Sequence, residues 1–203
     1  MTKIFTGASM SLDGYIAGPA ETGFEHLFKW YGNGDVSVPT THADMTLQMS
    51  PVSAAHFRSM VENTGALVVG RKLFDTTGGW DGNHPVGVPV VVVTHSVPDG
   101  WPREDAPFSF VTDGRIESAI RQAKALAGDK NVGVNGGTIA RQCLNAGLLD
   151  EIFVDLVPVL LAALRSSTSR RPRRCSSRDR CRSRRASTSR TCATASGHPE
   201  RAS

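Results

Sequence analysis

Cysteine is scarce in this sequence, and its distribution excludes a disulfide-built protein. Only four of the 203 residues are cysteines, and three of them lie beyond residue 161. Cys143 is therefore the single cysteine of the first 161 residues. It has no partner for a disulfide framework there, which suits a reducing cytosol.

Long apolar runs are missing as well. The run over residues 88–93, for example, is interrupted by Pro89 and is too short to span a bilayer. Met1–Phe5 leads directly into a strand-like run and shows no signal-peptide pattern. We therefore expect a soluble, cytoplasmic protein without a membrane partner.

Acidic residues are nearly absent from the end of the chain. The formal charge of +4 of the whole protein therefore hides a strongly uneven distribution of charge. Residues 1–161 contain 11 basic and 17 acidic residues, a net charge of −6. Residues 162–203 contain 12 arginines against Asp179 and Glu200, a net charge of +10. This break in composition predicts a folded domain over 1–161 and a separate tail over 162–203.

Apolar runs and helical patterns alternate through the first 161 residues. The runs predict strands at 3–9, 66–69, 88–94, 108–112, 131–134 and 151–156, and the helical patterns predict helices at 53–63, 116–126 and 139–146. Ser53 is the expected N-cap of the first helix, and Gly32–Thr46 is expected to be a surface excursion. This alternation predicts an α/β domain with a largely parallel, twisted sheet.

Three of the predicted strands end in residues that suit an anionic ligand. The strand ends are Gly70-Arg71-Lys72, Thr94-His95-Ser96 and Asn135-Gly136-Gly137-Thr138-Ile139. Glycine permits close approach of the backbone, and amides at a helix start bind phosphate. Each segment alone is also compatible with an ordinary turn. Together, on one sheet edge, they predict a single extended ligand.

The same segments resemble a known family. Together with Ala8–Ala17, the segments Val69–Phe74 and Asn135–Ile139 resemble the dihydrofolate-reductase-like superfamily, and within it the reductase domain of riboflavin biosynthesis. The resemblance covers about residues 3–161, except Gly32–Thr46. It implies a three-layer α/β fold and NADPH-dependent hydride transfer to a small molecule. Relatives are often homodimers.

The resemblance also implies a role for each matching residue. It assigns the 2′-phosphate to Arg71 with Thr94, His95 and Ser96, the pyrophosphate to Gly136, Gly137 and Thr138, the nicotinamide surroundings to Ala8, Ile16 and Ala17, and further cofactor contacts to Gly70, Lys72, Asn135 and Ile139. A permanently charged arginine suits the extra phosphate of NADPH. Leu73 departs from the pattern, because folate enzymes usually have a hydroxyl there.

The substrate side is less well defined. Folate enzymes carry a carboxylate on the helix that precedes the Gly70 strand, and Ser53–Arg58 has none. Folate is therefore excluded as the expected substrate. The zinc deaminase that often accompanies the riboflavin reductase combines an H-x-E with a C-x-x-C signature; this combination does not occur, and no metal site is predicted. Trp30, Tyr31, His56 and Trp80 are candidates to line the substrate pocket, or alternatively are packed loop residues.

Asp13 allows two interpretations. It is the candidate catalytic residue, relaying a proton near the nicotinamide, or it is the Asp of an Asp-Gly turn that closes the loop. The turn is the simpler interpretation, because Gly14 follows it directly.

The tail over 162–203 cannot supply a hydrophobic core. It contains 12 arginines and 10 serines, no lysine and no aromatic residue, so we expect it to be disordered. One hypothesis is a nucleic-acid-binding arm. The preferred one is a frameshift near Leu161, because GC-rich codons for 186–196 can read as an alternating strand one base earlier. The strand at 151–156 would then be left as an exposed apolar edge, and the chain destabilised.

Three functions follow, and the first is preferred. The chain is an NADPH-dependent reductase of an unassigned heterocycle or carbonyl compound, related to 5-amino-6-(5-phosphoribosylamino)uracil reductase. Alternatively, it is a nucleotide-binding module without turnover. The third hypothesis, an arginine-rich nucleic-acid binder, rests on the tail alone; with the frameshift preferred, we expect no nucleic-acid partner.

Overall fold

The alternating segments form eight strands and five α-helices within residues 2–161, which are the residues that the computed structural model describes. The strands are β1 (Ile4–Ser11), β2 (Val36–Pro39), β3 (Thr46–Met49), β4 (Thr64–Gly70), β5 (Val90–Val93), β6 (Phe108–Val111), β7 (Asn131–Val134) and β8 (Glu151–Val157). The helices are α1 (Phe24–Leu27), α2 (Pro51–Asn63), α3 (Arg71–Thr76), α4 (Ile116–Ala127) and α5 (Thr138–Asn145). Short 3-10 turns lie at Pro19–Glu21, Lys29–Gly32 and Gly78–Gly82.

Six of these strands form one sheet in the order β6-β5-β4-β7-β1-β8. Every pairing in this sheet is parallel. The connections must therefore cross back over the sheet, and the helices cover its faces. The predicted α/β fold with a mostly parallel sheet is confirmed. β2 and β3 form a separate antiparallel hairpin.

Two hydrophobic clusters hold the sheet between its helices. On one face, α4 and α5 pack on Val68, Val91 and Val132, which are fully buried. On the other face, Phe74 of α3 packs on a layer that includes Val90 and Phe108. The helix predicted at 116–126 is confirmed, and its buried side chains recur at the spacing expected of one helical face.

The start of α2 corrects one expectation. The prediction that Ser53 caps this helix is wrong, because the N-cap is Ser50, whose hydroxyl accepts a hydrogen bond from the Ser53 N–H at 3.3 Å. Pro51 occupies the first turn, where its missing N–H has no helical partner to lose. The helix therefore begins two residues before the predicted start.

The segment expected to be a surface excursion is more ordered than predicted. β2 begins inside it, and the hairpin tip contacts the loop that follows Gly82. Thr41 donates its N–H to the Pro85 carbonyl at 3.2 Å and its hydroxyl to the His84 carbonyl at 2.9 Å. The hairpin is therefore fixed against the loop at 83–87.

β8 is the last strand of the described sheet on its side. Ile152, Val154 and Leu156 share one face of this strand and are 63%, 47% and 61% exposed. The alternate residues, Phe153 and Asp155, face the opposite side and are partly buried. Within the described residues β8 therefore has an exposed apolar face, and the absence of a further strand beside it stays a prediction. The predictions of a disordered or frameshifted tail lie outside the described residues.

Within residues 2–161, no helix combines the length and apolar character needed to cross a bilayer. The same part of the chain contains no group of three or more His, Cys, Asp or Glu side chains arranged to hold a metal ion.

Candidate cofactor and substrate site

The three predicted strand ends lie at one edge of the sheet. β5, β4, β7 and β1 are consecutive neighbours and run in the same direction. The segments that follow them therefore emerge side by side. This is the edge at which open parallel sheets bind ligands.

Arg71 and the turn after β5 form one connected group. Arg71 Nη1 donates to the Ser96 carbonyl at 2.9 Å and to the Thr94 hydroxyl at 3.3 Å. Thr94 is buried and donates its own hydroxyl to the Ser96 carbonyl at 2.8 Å, while His95 between them is exposed. Asp75, one helical turn further along α3, accepts from Arg71 Nε at 2.8 Å. The turn orients the guanidinium, and Asp75 balances its charge.

Lys72 joins the other side of the edge. Its ammonium forms an ion pair with Glu21, which lies in the loop after β1. Lys72 therefore ties the helix start at Arg71 to that loop. Gly70 permits the close packing behind it, since a Cβ there would lie 3.3 Å from Ile139 of α5.

The glycine pair after β7 forms the start of α5. Gly137 has φ 72° and ψ −127°, a backbone conformation that side chains disfavour. As the N-cap it offers no side-chain hydrogen bond; the Ala140 N–H donates to the Asn135 carbonyl at 3.2 Å, and the Thr138 and Ile139 amides before it are placed to bind an anion. Asn135 precedes the pair, and its N–H donates to the Val68 carbonyl at 2.9 Å. Thr138 is the first residue of the helix.

The loop after β1 covers this turn from the side. A Cβ on Gly136 would lie 3.3 Å from Ile16, so these two residues are in close packing across the edge. Ala17 follows Ile16 in the same loop, and Ala8 lies in β1 opposite Val154 of β8. The residues predicted to surround the nicotinamide are therefore carried by β1 and its loop.

Asp13 anchors that loop. Its carboxylate accepts from the Ser11 hydroxyl at 2.6 Å and from the Leu161 N–H at 3.1 Å. Ser11 in turn accepts from the Tyr15 N–H at 3.0 Å. These bonds favour the turn interpretation, in which Asp13 ties the loop to the segment after β8. Its catalytic role stays a prediction.

A cleft of about 170 Å³ lies on the α2 side of the sheet. Its walls are mostly apolar and include Gly7, Leu73, Phe153 and, on the loop after Gly82, His84. The Phe153 ring lies directly on Gly7, because a Cβ there would be 2.0 Å from the ring. Leu73, at the position where folate enzymes carry a hydroxyl, contributes an apolar wall instead.

His84 is held neutral. Burial, and secondarily the nearby charge of His42, lowers its pKa to about 4. Its Nδ1 accepts from the Val86 N–H at 3.2 Å, which places the ring proton on Nε2.

Two of the predicted substrate residues, Trp30 and His56, contact the paired strands β1 and β8. Trp30 donates its Nε1–H to the Ser9 hydroxyl at 3.0 Å. His56 of α2 lies with Nε2 3.3 Å from Asp155 Oδ1, and its ring contacts Phe153 edge-on. Ser9 and Asp155 are opposite each other in the β1–β8 pairing, so Trp30 and His56 approach the same pair of strands.

Tyr31 lies against this group. Burial, and secondarily the Asp155 carboxylate, raises its pKa to about 12, so the phenol stays protonated at neutral pH. Its ring packs on Trp30 at 4.3 Å between centroids and on Phe57 at 5.9 Å.

Trp80 is separate from the other predicted substrate residues. It packs against Phe108 in the cluster on β5 and β6, and its ring lies 4.4 Å from that of His84 between centroids. His84, which it contacts, lines the cleft. Its packing role is the alternative that the sequence left open.

Asp155, Phe153 and His84 were not singled out from the sequence. The sequence contains a signal for Asp155, because it is the only charged residue between Ile152 and Leu160. A charge inside an otherwise apolar strand usually has a partner. The sequence gives no such signal for His84, whose loop is placed by the hairpin tip.

Comparison with known proteins finds a matching family model and similar solved structures. The family model of the RibD C-terminal domain matches residues 2–192. A solved structure from Shewanella sp. PV-4, assigned by name to riboflavin biosynthesis, is similar with 25% identity and a TM-score of 0.53, over 79% of each chain. Dihydrofolate reductase from Enterococcus faecalis, complexed with NADP(H) and RAB-propyl, is matched at 12% identity and a TM-score of 0.46, over 78% of this chain and 73% of that one. No curated protein matches the chain.

Proposed function

The chain belongs to the RibD C-terminal domain family, and from this premise we propose that it is an NADPH-dependent reductase of a small heterocycle or carbonyl compound. The family match confirms the resemblance drawn from the sequence and supports a reductase of the riboflavin-biosynthesis type. The match extends beyond residue 161, and the domain boundary at that position stays a prediction.

One observation carries the cofactor proposal. Arg71, supported by the turn at Thr94–Ser96, and the uncapped helix start at Gly137 lie at the same sheet edge, on strands β4, β5 and β7. An arginine with a hydroxyl-bearing turn suits a terminal phosphate, and a glycine turn at a helix start suits a pyrophosphate. A dinucleotide with an extra phosphate carries both groups.

The residues present fit NADPH. Arg71, Thr94 and Ser96 would hold the 2′-phosphate, and the amides of Gly136–Thr138 would hold the pyrophosphate. Ile16, which packs on Gly136, would form a wall of the nicotinamide site. When bound, NADPH supplies the hydride. The protein residues bind, orient and shield the two reactants.

The cleft beside Phe153 is the proposed substrate site. Its apolar walls suit a flat ring, and the pair of His56 and Asp155 lies next to the cleft, where His56 contacts Phe153. We propose a substrate with a reducible C=N or C=O group, in the class of 5-amino-6-(5-phosphoribosylamino)uracil.

The test has two steps on the full 203-residue chain. NADPH and NADH are first titrated against intrinsic tryptophan fluorescence, with saturable binding and preference for NADPH expected. Bound NADPH is then mixed in single turnover with pterins, ribosylaminopyrimidines and activated carbonyl compounds, and its absorbance at 340 nm is followed. Oxidation by one class identifies the substrate class. Binding without oxidation by any class would favour the nucleotide-binding module, and absence of binding would contradict the proposal.

A further inference from the structure

The proposed reaction needs a proton as well as a hydride, and two histidines lie at the cleft, one in its lining and one against the ring of Phe153. His84 is the less suitable one, because burial keeps it neutral and its Nδ1 already accepts from Val86. A neutral imidazole can donate a hydrogen bond but is a very weak acid. The second histidine is His56.

His56 is paired with a carboxylate from β8, whereas residues 53–58 of its own helix α2 contain no carboxylate. Asp155 reaches it from β8, with Oδ1 3.3 Å from His56 Nε2. The Asp155 side chain is 29% exposed and that of His56 is 50% exposed. A carboxylate at Nε2 stabilises the protonated ring and leaves Nδ1 for another partner.

The pair lies beside the cleft. Asp155 lies opposite Ser9 and on the same face of β8 as Phe153. His56 also contacts Phe153, whose ring forms part of the cleft wall. A substrate in this cleft would therefore contact Phe153, the ring that the imidazole also contacts.

We propose that His56 is the proton donor of the reductase and that Asp155 is its positioning residue; this rests on the proposed function. When NADPH is bound, it would supply a hydride, which carries the electron pair, to the carbon of a C=N or C=O group. The π electrons move to the nitrogen or oxygen, which takes the proton from Nδ1 of the imidazolium. The N–H electron pair returns to the ring, the nicotinamide is oxidised and the substrate is reduced. Water reprotonates the half-exposed ring.

Ionisable groups from two neighbouring elements lie at this pair. They are Asp155 on β8, which contacts His56, and the phenol of Tyr31, which is close to Asp155. Tyr31 stays neutral, since its pKa is raised to about 12 by burial and then by Asp155. Arg58 on the same helix instead donates to the Ser37 carbonyl at 3.1 Å.

The test uses the full chain with the ribosylaminopyrimidine and NADPH. Loss of a general acid lowers kcat by about a hundredfold to ten-thousandfold, so His56→Ala should do so while leaving the NADPH Kd within about twofold of wild type. Imidazole added to the buffer should restore part of the rate, because the site is half-exposed. Asp155→Asn should lower kcat by about tenfold and leave KM within about twofold of wild type, because the imidazole loses the carboxylate that orients it.

His26→Gln is the matched control. His26 also pairs with a carboxylate, Glu25 at 3.4 Å, but lies on exposed α1. It should behave as wild type. If wild type turns over and His56→Ala keeps its rate, or loses it without rescue by imidazole, the proton-donor proposal is overturned and the reductase stands. If wild type binds NADPH without oxidising it, the proposed function fails, and this inference fails with it.

Discussion

Arg71 spans the gap between two neighbouring strands and donates to the main-chain carbonyl of Ser96 at 2.9 Å. Arg71 directly follows β4, and Ser96 lies just after β5. The contact therefore depends on the parallel pairing of these two strands. It holds a permanent positive charge at the sheet edge before any ligand is present.

Arg71→Ala should therefore remove the proposed 2′-phosphate contact. Charged hydrogen bonds contribute about 1.5–3 kcal/mol, so the Kd for NADPH should rise by about tenfold to a hundredfold. NADH lacks this phosphate and should be affected by less than about threefold. Fluorescence titration of both nucleotides measures the difference. Arg121→Ala on the outer side of α4 is the control, and an equal loss for NADPH and NADH would contradict the assignment.

Asp75→Asn should have the opposite effect. The Asp75 carboxylate accepts from Arg71 Nε at 2.8 Å and competes with a phosphate for the same cation. Exposed ion pairs contribute about 0.2–1 kcal/mol, so its removal should lower the Kd for NADPH by about two- to fivefold. The effect should weaken as salt is raised. An unchanged or weaker affinity in the variant would show that Asp75 supports the site instead.

The cofactor edge could be predicted from the sequence because its signals are local. A glycine at a strand end and a cation at the next helix start sit within a few residues, and parallel strands bring such ends together. The pairing of His56 with Asp155 could not be predicted in this way. It depends on β8 lying beside β1 rather than beside β7, which precedes it in the chain. The position of Trp80 could not be predicted either, because composition does not show against which hydrophobic cluster an aromatic residue of a loop packs.

Gly137→Ala should weaken the proposed pyrophosphate site. A side chain at φ 72° and ψ −127° is strained by about 1–3 kcal/mol, and the turn that presents the α5 amides should shift. Gly128 offers a matched control, because it has φ 60° and ψ −123° at the end of α4 and is likewise open to a Cβ. Both alanine variants should lose similar stability in urea, but only Gly137→Ala should lose NADPH affinity. Equal affinities in the two would exclude the turn from the site.

The exposed face of β8 should limit solubility. Ile152 and Leu156 are 63% and 61% exposed, so replacing both with threonine should change the free energy of unfolding by less than about 0.5 kcal/mol. The soluble fraction should rise, because an apolar edge is a site of association. Val157→Thr, at a buried neighbour on the same strand, should destabilise the fold without this gain. Light scattering at several concentrations measures the effect, and unchanged scattering in the double variant would contradict it.

His84 should make stability depend on pH. Its pKa is lowered to about 4 by burial and then by His42, against about 6.5 in the unfolded chain. Above pH 6.5 neither state binds the proton. Between pH 6.5 and 4 only the unfolded state does, so the free energy of unfolding should fall on acidification, by up to about 3 kcal/mol at pH 4. His84→Gln should flatten this slope in urea denaturation at pH 4.5–7, and the exposed control His95→Gln should retain it. Parallel slopes in wild type and His84→Gln would show that the imidazole is protonated in the folded state.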